Sequence, residues 1–273
     1  MSEKITIIGA GSLVFARTVF TDLMSVPELQ NFEYIFTDIN PDNLEKTRAL
    51  CQRDLDGNGI EQTIIATTNR REALKDARYI INLIRVGGLE AFEMDIDIPL
   101  KYGVDQCVGD TLCIGGIMYG QRVIATMLDI CQDIREVAEK DALLLNYSNP
   151  MAMATWACNK YGKVRTIGLC HGEIHGEFQI AEVLGIPREE LDITCAGINH
   201  QTWYLSVKHK GRELKDQLLQ GFENHERFKK EEKVRIDMLK RFGYYSTESN
   251  GHLSEYVAWY RKRPAEIQKW IDT

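Results

Sequence analysis

The chain has 273 residues, 44% hydrophobic and 27% charged, enough to bury a large core as one domain or two. A net charge of −7 excludes a general nucleic-acid binder, which needs a basic face for phosphates. No apolar stretch reaches membrane length, and the N-terminus lacks a basic, apolar, small-residue signal pattern, so neither a membrane nor a nucleic-acid partner is expected.

Residues 4–8 are rich in Ile and alternate little, as a strand buried on both faces of a parallel sheet should. They run into Gly9-Ala10-Gly11-Ser12, after which residues 12–24 carry apolar side chains at helical spacing. Residues 34–39 form a second strand ending in Asp38, and 41–55 a helix capped by Asn40 with Pro41 at its first position. A strand at 63–67, a short helix at 70–75 and a strand at 79–84 follow. This alternation specifies right-handed βαβ units in a doubly wound, Rossmann-like α/β sheet. The pattern continues with a long helix at 115–138, a strand at 142–147, a helix at 151–160 and a strand at 165–169. Beyond about 195 the texture changes to a strand at 203–207, a turn at Lys210-Gly211, a highly charged and solvated helix at 222–242, and an amphipathic stretch at 264–271. The expected division is a nucleotide-binding domain at 1–195 and a mixed α+β catalytic segment at 196–273 that is incomplete.

Gly9 and Gly11 permit a tight turn and close approach of backbone to a pyrophosphate seated on the next helix, with Ser12 beside them. Asp38 ends the second strand, where a carboxylate accepts from a ribose diol and disfavours a 2′-phosphate, so NAD is preferred over NADP. The third glycine of the usual fingerprint is replaced by Val14. Of the seven cysteines, 51, 107, 113, 131, 158, 170 and 195, none shows CxxC spacing, and reduced thiols in the cytoplasm are expected. Cys170 stands apart, at the end of a strand and thirty positions before His200. One thiolate and one imidazole are too few for a closed structural site, so substrate or water completes the shell, as at a catalytic metal. Asn199, beside His200, can orient a hydroxyl.

The chain resembles glycoside hydrolase family 4, the NAD- and metal-dependent glycosidases, and within it the α-galactosidase branch. The resemblance rests on Gly9-Ala10-Gly11-Ser12, Asp38, Val86-Gly87-Gly88, Ile98-Pro99-Leu100-Lys101-Tyr102-Gly103 and Asp110-Thr111 with Ile114-Gly115-Gly116. It continues through Asn146-Tyr147-Ser148-Asn149-Pro150-Met151, Gly168-Leu169-Cys170-His171 and Gly197-Ile198-Asn199-His200. Arg241-Phe242-Gly243-Tyr244-Tyr245, Thr247-Glu248-Ser249 and His252-Leu253-Ser254-Glu255-Tyr256 complete it. It covers the whole chain, although family members are usually longer. It implies that Cys170 and His200 hold a divalent metal, most often manganese. The family stands outside the two-carboxylate scheme for glycosidases. NAD removes hydride from the sugar C3, the metal stabilises the enolate formed when a base takes the C2 proton, the C1 group leaves, water adds, and the hydride returns.

In relatives the base is often a tyrosine. Tyr256 is the first candidate, with Tyr244, Tyr245 and Glu255 behind it, although Leu253, Tyr256, Val257 and Tyr260 also fit helical packing. His171 follows the metal cysteine, where some relatives place the acid that protonates the leaving group. Asn149 and Asp110 match positions near the sugar, Asn149 also near the cofactor; Asp110 equally suits a helix cap. Gly172 resembles the α-hexuronidase group, because open space there admits a C6 carboxylate, for which His175, Arg85 or Lys101 is a partner. Overall likeness points instead to neutral α-galactosides, so both sugars stand. A homo-oligomer, dimer or tetramer, is expected. The alternatives are a hydroxy-acid dehydrogenase of lactate or malate type and a non-catalytic NAD-binding protein.

Overall fold

The computed structural model describes residues 3–271. It contains two compact units, one made of residues through Gly88 with Gly120–Leu169, the other of Leu89–Tyr119 with residues from Cys170 onward. Compactness thus follows a different line from the boundary at 195, because the parallel sheet receives its last strand just before Cys170.

In chain order the elements begin with β1 (Lys4–Ile8), α1 (Phe15–Met24), β2 (Glu33–Thr37), α2 (Pro41–Gly57), β3 (Ile64–Thr67), α3 (Arg70–Leu74) and β4 (Tyr79–Asn82). There follow α4 (Gly88–Leu100), α5 (Ile114–Val137), β5 (Leu143–Asn146), α6 (Met151–Ala157) and β6 (Thr166–Gly168). The six strands form one sheet in the order β3-β2-β1-β4-β5-β6, every neighbouring pair parallel. The order reverses between β1 and β4, the point where such sheets bind ligands beyond the carboxyl ends of their strands. Ile5, Ile7, Phe20, Tyr34, Phe36, Leu44 and Leu55 pack as its core. Phe20 meets Tyr34 and Phe36 edge to face at 5.2 and 5.3 Å. Burial of each such side chain contributes about 1.5–3 kcal/mol. The Asn40 carboxamide caps α2 by accepting from the Asn43 N–H at 3.0 Å. The helix expected to reach residue 160 instead relaxes at Cys158–Gly162 into a π turn, closed by Lys163 in a left-handed conformation.

The second unit adds α7 (Gly172–Leu184), β7 (Leu191–Ile198), β8 (Gln201–His209), β9 (Arg212–Glu213), α8 (Lys215–Asn224), α9 (Phe228–Glu231), α10 (Lys233–Phe242), β10 (Tyr245–Ser246), α11 (Asn250–Tyr256) and α12 (Pro264–Trp270). Its antiparallel sheet runs β10-β8-β7, with β9 paired to β8. The single solvated helix expected at 222–242 is corrected to three pieces, α8, α9 and α10, whose Phe222, Phe228, Val234 and Leu239 are buried. Arg235 explains how a charged segment enters a core. Only 2% exposed, its guanidinium lies 4.0 Å from the Tyr245 ring centre, donates to the Ser246 carbonyl at 2.6 and 3.1 Å, and pairs with Glu232 at 3.1 Å. A buried charge is tolerated when it is paired and hydrogen-bonded in this way.

Candidate active site

In the first unit, the turn after β1 brings Gly9, Gly11 and Asp38 together. Gly9 has φ of +82°, and a Cβ there would lie 2.8 Å from the Leu83 carbonyl carbon, so only glycine fits. The Gly11 N–H donates to Asp38 Oδ2 at 2.8 Å, and the Asn40 N–H donates to Oδ1 at 2.8 Å. A Cβ on Gly11 would sit 2.7 Å from Asp38 Cγ, so the acid packs directly on the turn. Ser12 leads into α1, whose first turn has no capping side chain and no acid. Such an N-terminus accepts a phosphate. At the ends of β4 and β5, the buried Asn82 carboxamide donates to Asn146 Oδ1 and Ser148 Oγ, both at 2.9 Å. Asn149 follows, half-buried, before the cis peptide bond to Pro150.

In the second unit, Cys170 precedes α7, and Asn199-His200 forms the two-residue turn between β7 and β8, where Ile198 pairs with Gln201. The ligand-type atoms of Cys170, His200 and Glu248 lie within 4.8 Å of one another, and those of Asp110, His200 and His252 do likewise. His200 is 8% exposed, and its Nε2 is 3.9 Å from Glu248 Oε1. Burial, reinforced by His252, pushes the His200 imidazole down to about 4, so the ring is neutral at pH 7 and has a lone pair for a cation. Burial raises the Cys170 thiol, opposed by the Gly172 N–H at 3.4 Å from Sγ and by the Asn199 side chain. Asn199 Oδ1 is buried without a hydrogen-bond partner among the described residues. A thiolate donor, a neutral imidazole and a carboxylate make a donor set that fits a divalent ion.

Tyr256 Oη lies 3.0 Å from His252 Nδ1 and 3.3 Å from His200 Nδ1. Burial, then the Glu255 charge, drives its phenol far above the usual value near 10. Glu255 accepts the Cys107, Val108 and Gly109 backbone N–H groups at 2.5–3.1 Å, and its Oε1 also lies 3.4 Å from His252 Nδ1. Tyr244 is exposed beside the Lys215 ammonium, and Tyr245 is enclosed between Phe222 and Arg235. Asp110 is buried and accepts the Thr111 hydroxyl at 2.8 Å. His171 is exposed at the start of α7, its ring 5.1 Å from that of His175 and outside both ligand groups. Arg85 and Lys101 are exposed.

Sequence reasoning did not single out Glu248 or His252, although both lie in the motifs it quoted. Their one signal is an acid and an imidazole among apolar and hydroxyl residues, which carries no periodicity. The open space expected beside Gly172 is corrected: a Cβ there would lie 2.6 Å from Glu248 Oε1, so a carboxylate of the protein itself fills it.

Comparison with known proteins places these units in context. Residues 4–186 match the Family 4 glycosyl hydrolase profile, and residues 195–272 match that of the Family 4 glycosyl hydrolase C-terminal domain. The chain is 60% identical over 272 residues, 99% of its length and 56% of the relative's, to an alpha-galactosidase of Rhizobium meliloti. It is 30% identical over 98% of its length, and 63% of the relative's, to an alpha-galacturonidase of Thermoanaerobacterium saccharolyticum. A crystal structure of a 6-phospho-alpha-glucosidase from gut microorganisms, in complex with NAD and glucose-6-phosphate, superimposes with a TM-score of 0.83 at 29% identity. That match covers 100% of this chain and 62% of the other. The chain thus spans a little over half the length of these relatives, and by both profile matches it belongs to the family 4 glycosyl hydrolases.

Proposed function

We propose that this chain carries the cofactor and metal sites of an NAD-dependent α-galactosidase. The observation that carries the reading is the convergence of Cys170, His200 and Glu248 within 4.8 Å in a chain that also holds the glycine turn and Asp38. NAD and a divalent ion, manganese by family likeness, would supply a hydride acceptor and a Lewis acid. Gly9, Gly11 and Ser12 would hold the pyrophosphate, Asp38 the ribose hydroxyls, and Asn149 the cofactor and sugar. Cys170, as thiolate, and His200, as neutral imidazole, would hold the ion. Asn199, turned toward Cys170, offers its unsatisfied Oδ1 to a sugar hydroxyl.

Tyr256 Oη would take the proton from sugar C2 and pass its own to His252 Nδ1, 3.0 Å away. A phenol with so high a pKa can act only as this kind of relay, since it is not ionised on its own at neutral pH. Burial opposes the charged form of His252, but Glu255, then Glu248 and last Asp110, grouped with His200 and His252, outweigh it. His171 would protonate the departing oxygen. Glu248 fills the space beside Gly172 that an unpaired C6 carboxylate would need, which favours a neutral α-galactoside over an α-galacturonide. Free thiols and a ligand cysteine suit a reducing compartment such as the cytoplasm. The exposed Leu89, Met94, Ile98 and Tyr102 offer apolar surface for a homo-oligomer.

The test is hydrolysis of p-nitrophenyl α-galactoside and α-galacturonide side by side, with catalytic NAD, manganese and a thiol reductant. Nitrophenol should appear from the galactoside over many turnovers without NADH accumulating, and at least about tenfold more slowly from the galacturonide, the discrimination expected for one unpaired charge. NADH formed in proportion to substrate would indicate a hydroxy-acid dehydrogenase instead. Silence on both sugars would leave a non-catalytic NAD-binding protein.

A further inference from the structure

Glu248 lines the proposed site but is given no bond to the ion in the roles above. Its carboxylate is nonetheless 4% exposed and shares the 4.8 Å group with Cys170 Sγ and His200. Building on the metal reading, we propose that Glu248 is a third protein ligand of the divalent ion, and that residue 172 is glycine to leave room for it.

Three observations carry this. The first is distance: ligand atoms on one cation lie within two bond lengths, each about 2.0–2.4 Å, and the three donor atoms meet that limit. By contrast, the 3.9 Å from Glu248 Oε1 to His200 Nε2 is too long for a hydrogen bond. The second is the cradle. A Cβ on Gly172 would stand 2.6 Å from Glu248 Oε1 and 3.6 Å from Cys170 Sγ, so any side chain there would displace the carboxylate. The third is Asn199 Oδ1, a buried oxygen with no partner among the described residues, at the same cluster. An unsatisfied buried acceptor signals a missing donor, water or ion.

The charge count agrees. Thiolate and carboxylate together neutralise a dication, so the assembled site carries no surplus charge toward the sugar. A hard oxygen donor also shifts a thiolate–imidazole pair away from zinc and toward manganese. The fold positions the ligand through two features: Glu248 lies just after β10, whose Ser246 carbonyl accepts from the buried Arg235, and Ser246 Oγ accepts the Glu248 N–H at 3.2 Å.

The experiment is a Mn2+ titration of the 273-residue chain with NAD present, with free Mn2+ followed by electron paramagnetic resonance. Glu248→Gln, Gly172→Ala and Cys170→Ser are compared with the unaltered protein, and circular dichroism and NAD affinity report folding. Loss of a ligand should weaken Mn2+ at least about tenfold in Glu248→Gln. Gly172→Ala should weaken it in the same direction and add nothing on top of Glu248→Gln, and Glu248→Gln should lower the preference for Mn2+ over Zn2+. If Glu248→Gln folds and binds Mn2+ like the parent while Cys170→Ser does not, Glu248 is no ligand and the metal reading stands. If neither changes binding, both fall. Should Glu248→Gln fail to fold, Gly172→Ala decides: unaltered Mn2+ affinity in that variant overturns the proposal.

Discussion

His200 adopts φ of +65°, a left-handed conformation that costs a non-glycine residue roughly 1–2 kcal/mol. The hairpin holds it there because its turn has only two residues, and the conformation turns the ring toward Cys170, Glu248 and Tyr256. Asparagine tolerates this backbone region well. His200→Asn should therefore keep thermal stability within about 0.5 kcal/mol of the parent, while Mn2+ affinity drops at least about tenfold. A melting curve and a Mn2+ titration on one preparation check both halves. Intact Mn2+ binding would remove His200 from the ligand set, and a collapse in stability would mean that the ring serves the core.

At the scale of elements, α3 and α5 are joined by a charge clamp. Arg70 Nε and Arg71 Nη1 donate to the two Asp133 oxygens at 2.7 Å each, and Arg71 also reaches Glu136 at 2.7 Å. Burial alone would raise the Asp133 carboxyl, but the two guanidinium groups outweigh it and hold it below its ordinary value. A carboxylate depressed in the folded state contributes stability above its unfolded pKa near 3.9, and that contribution vanishes as pH falls through the folded value. Asp133→Asn should thus cost on the order of 1 kcal/mol at pH 7, with the gap to the parent closing below about pH 4. Denaturant melts at pH 7 and pH 3 test it, and an equal gap at both would refute the clamp. The sequence made these elements legible unevenly. All six parallel strands were readable: central β1 and β4 as Ile-rich runs buried along most of their length, edge strands β3 and β6, which expose Ile65 and Ile167, by their alternation with helical segments. The segment 222–242 misled because Lys, Arg and Glu outnumber its buried residues, while Phe222, Phe228 and Leu239 decide the packing. α4 went unassigned, and its Pro99 shows how a helix can carry a residue that normally argues against one. In the site, Cys170 and His200 stood out by chemistry and by their places at element ends. Glu248 did not, since its neighbours Gly172, Cys170 and His200 lie far along the chain and local sequence does not encode the meeting.

At the scale of the whole molecule, the side chains proposed for the cofactor and those proposed for the ion fall in different compact units. Gly9, Gly11, Asp38 and Asn149 lie in the first; Cys170, His200, Glu248 and Tyr256 lie in the second. Each set is braced by its own local hydrogen bonds: Asp38 by the Gly11 and Asn40 N–H groups, and Cys170 by the Gly172 N–H. Binding by the two sets should therefore be separable by mutation. Cys170→Ser should abolish Mn2+ binding and leave NAD affinity within about twofold, because substitutions whose hydrogen-bond partners differ combine nearly independently. Asp38→Ala should do the reverse, weakening NAD about tenfold or more by removing the acceptor for the ribose diol and the brace of the glycine turn. Calorimetric titration of each variant with each ligand gives four numbers that must fall into two pairs. A Cys170→Ser chain that loses both affinities together would show that the thiol holds the fold, and the assignment of sulfur to the ion would fail with it.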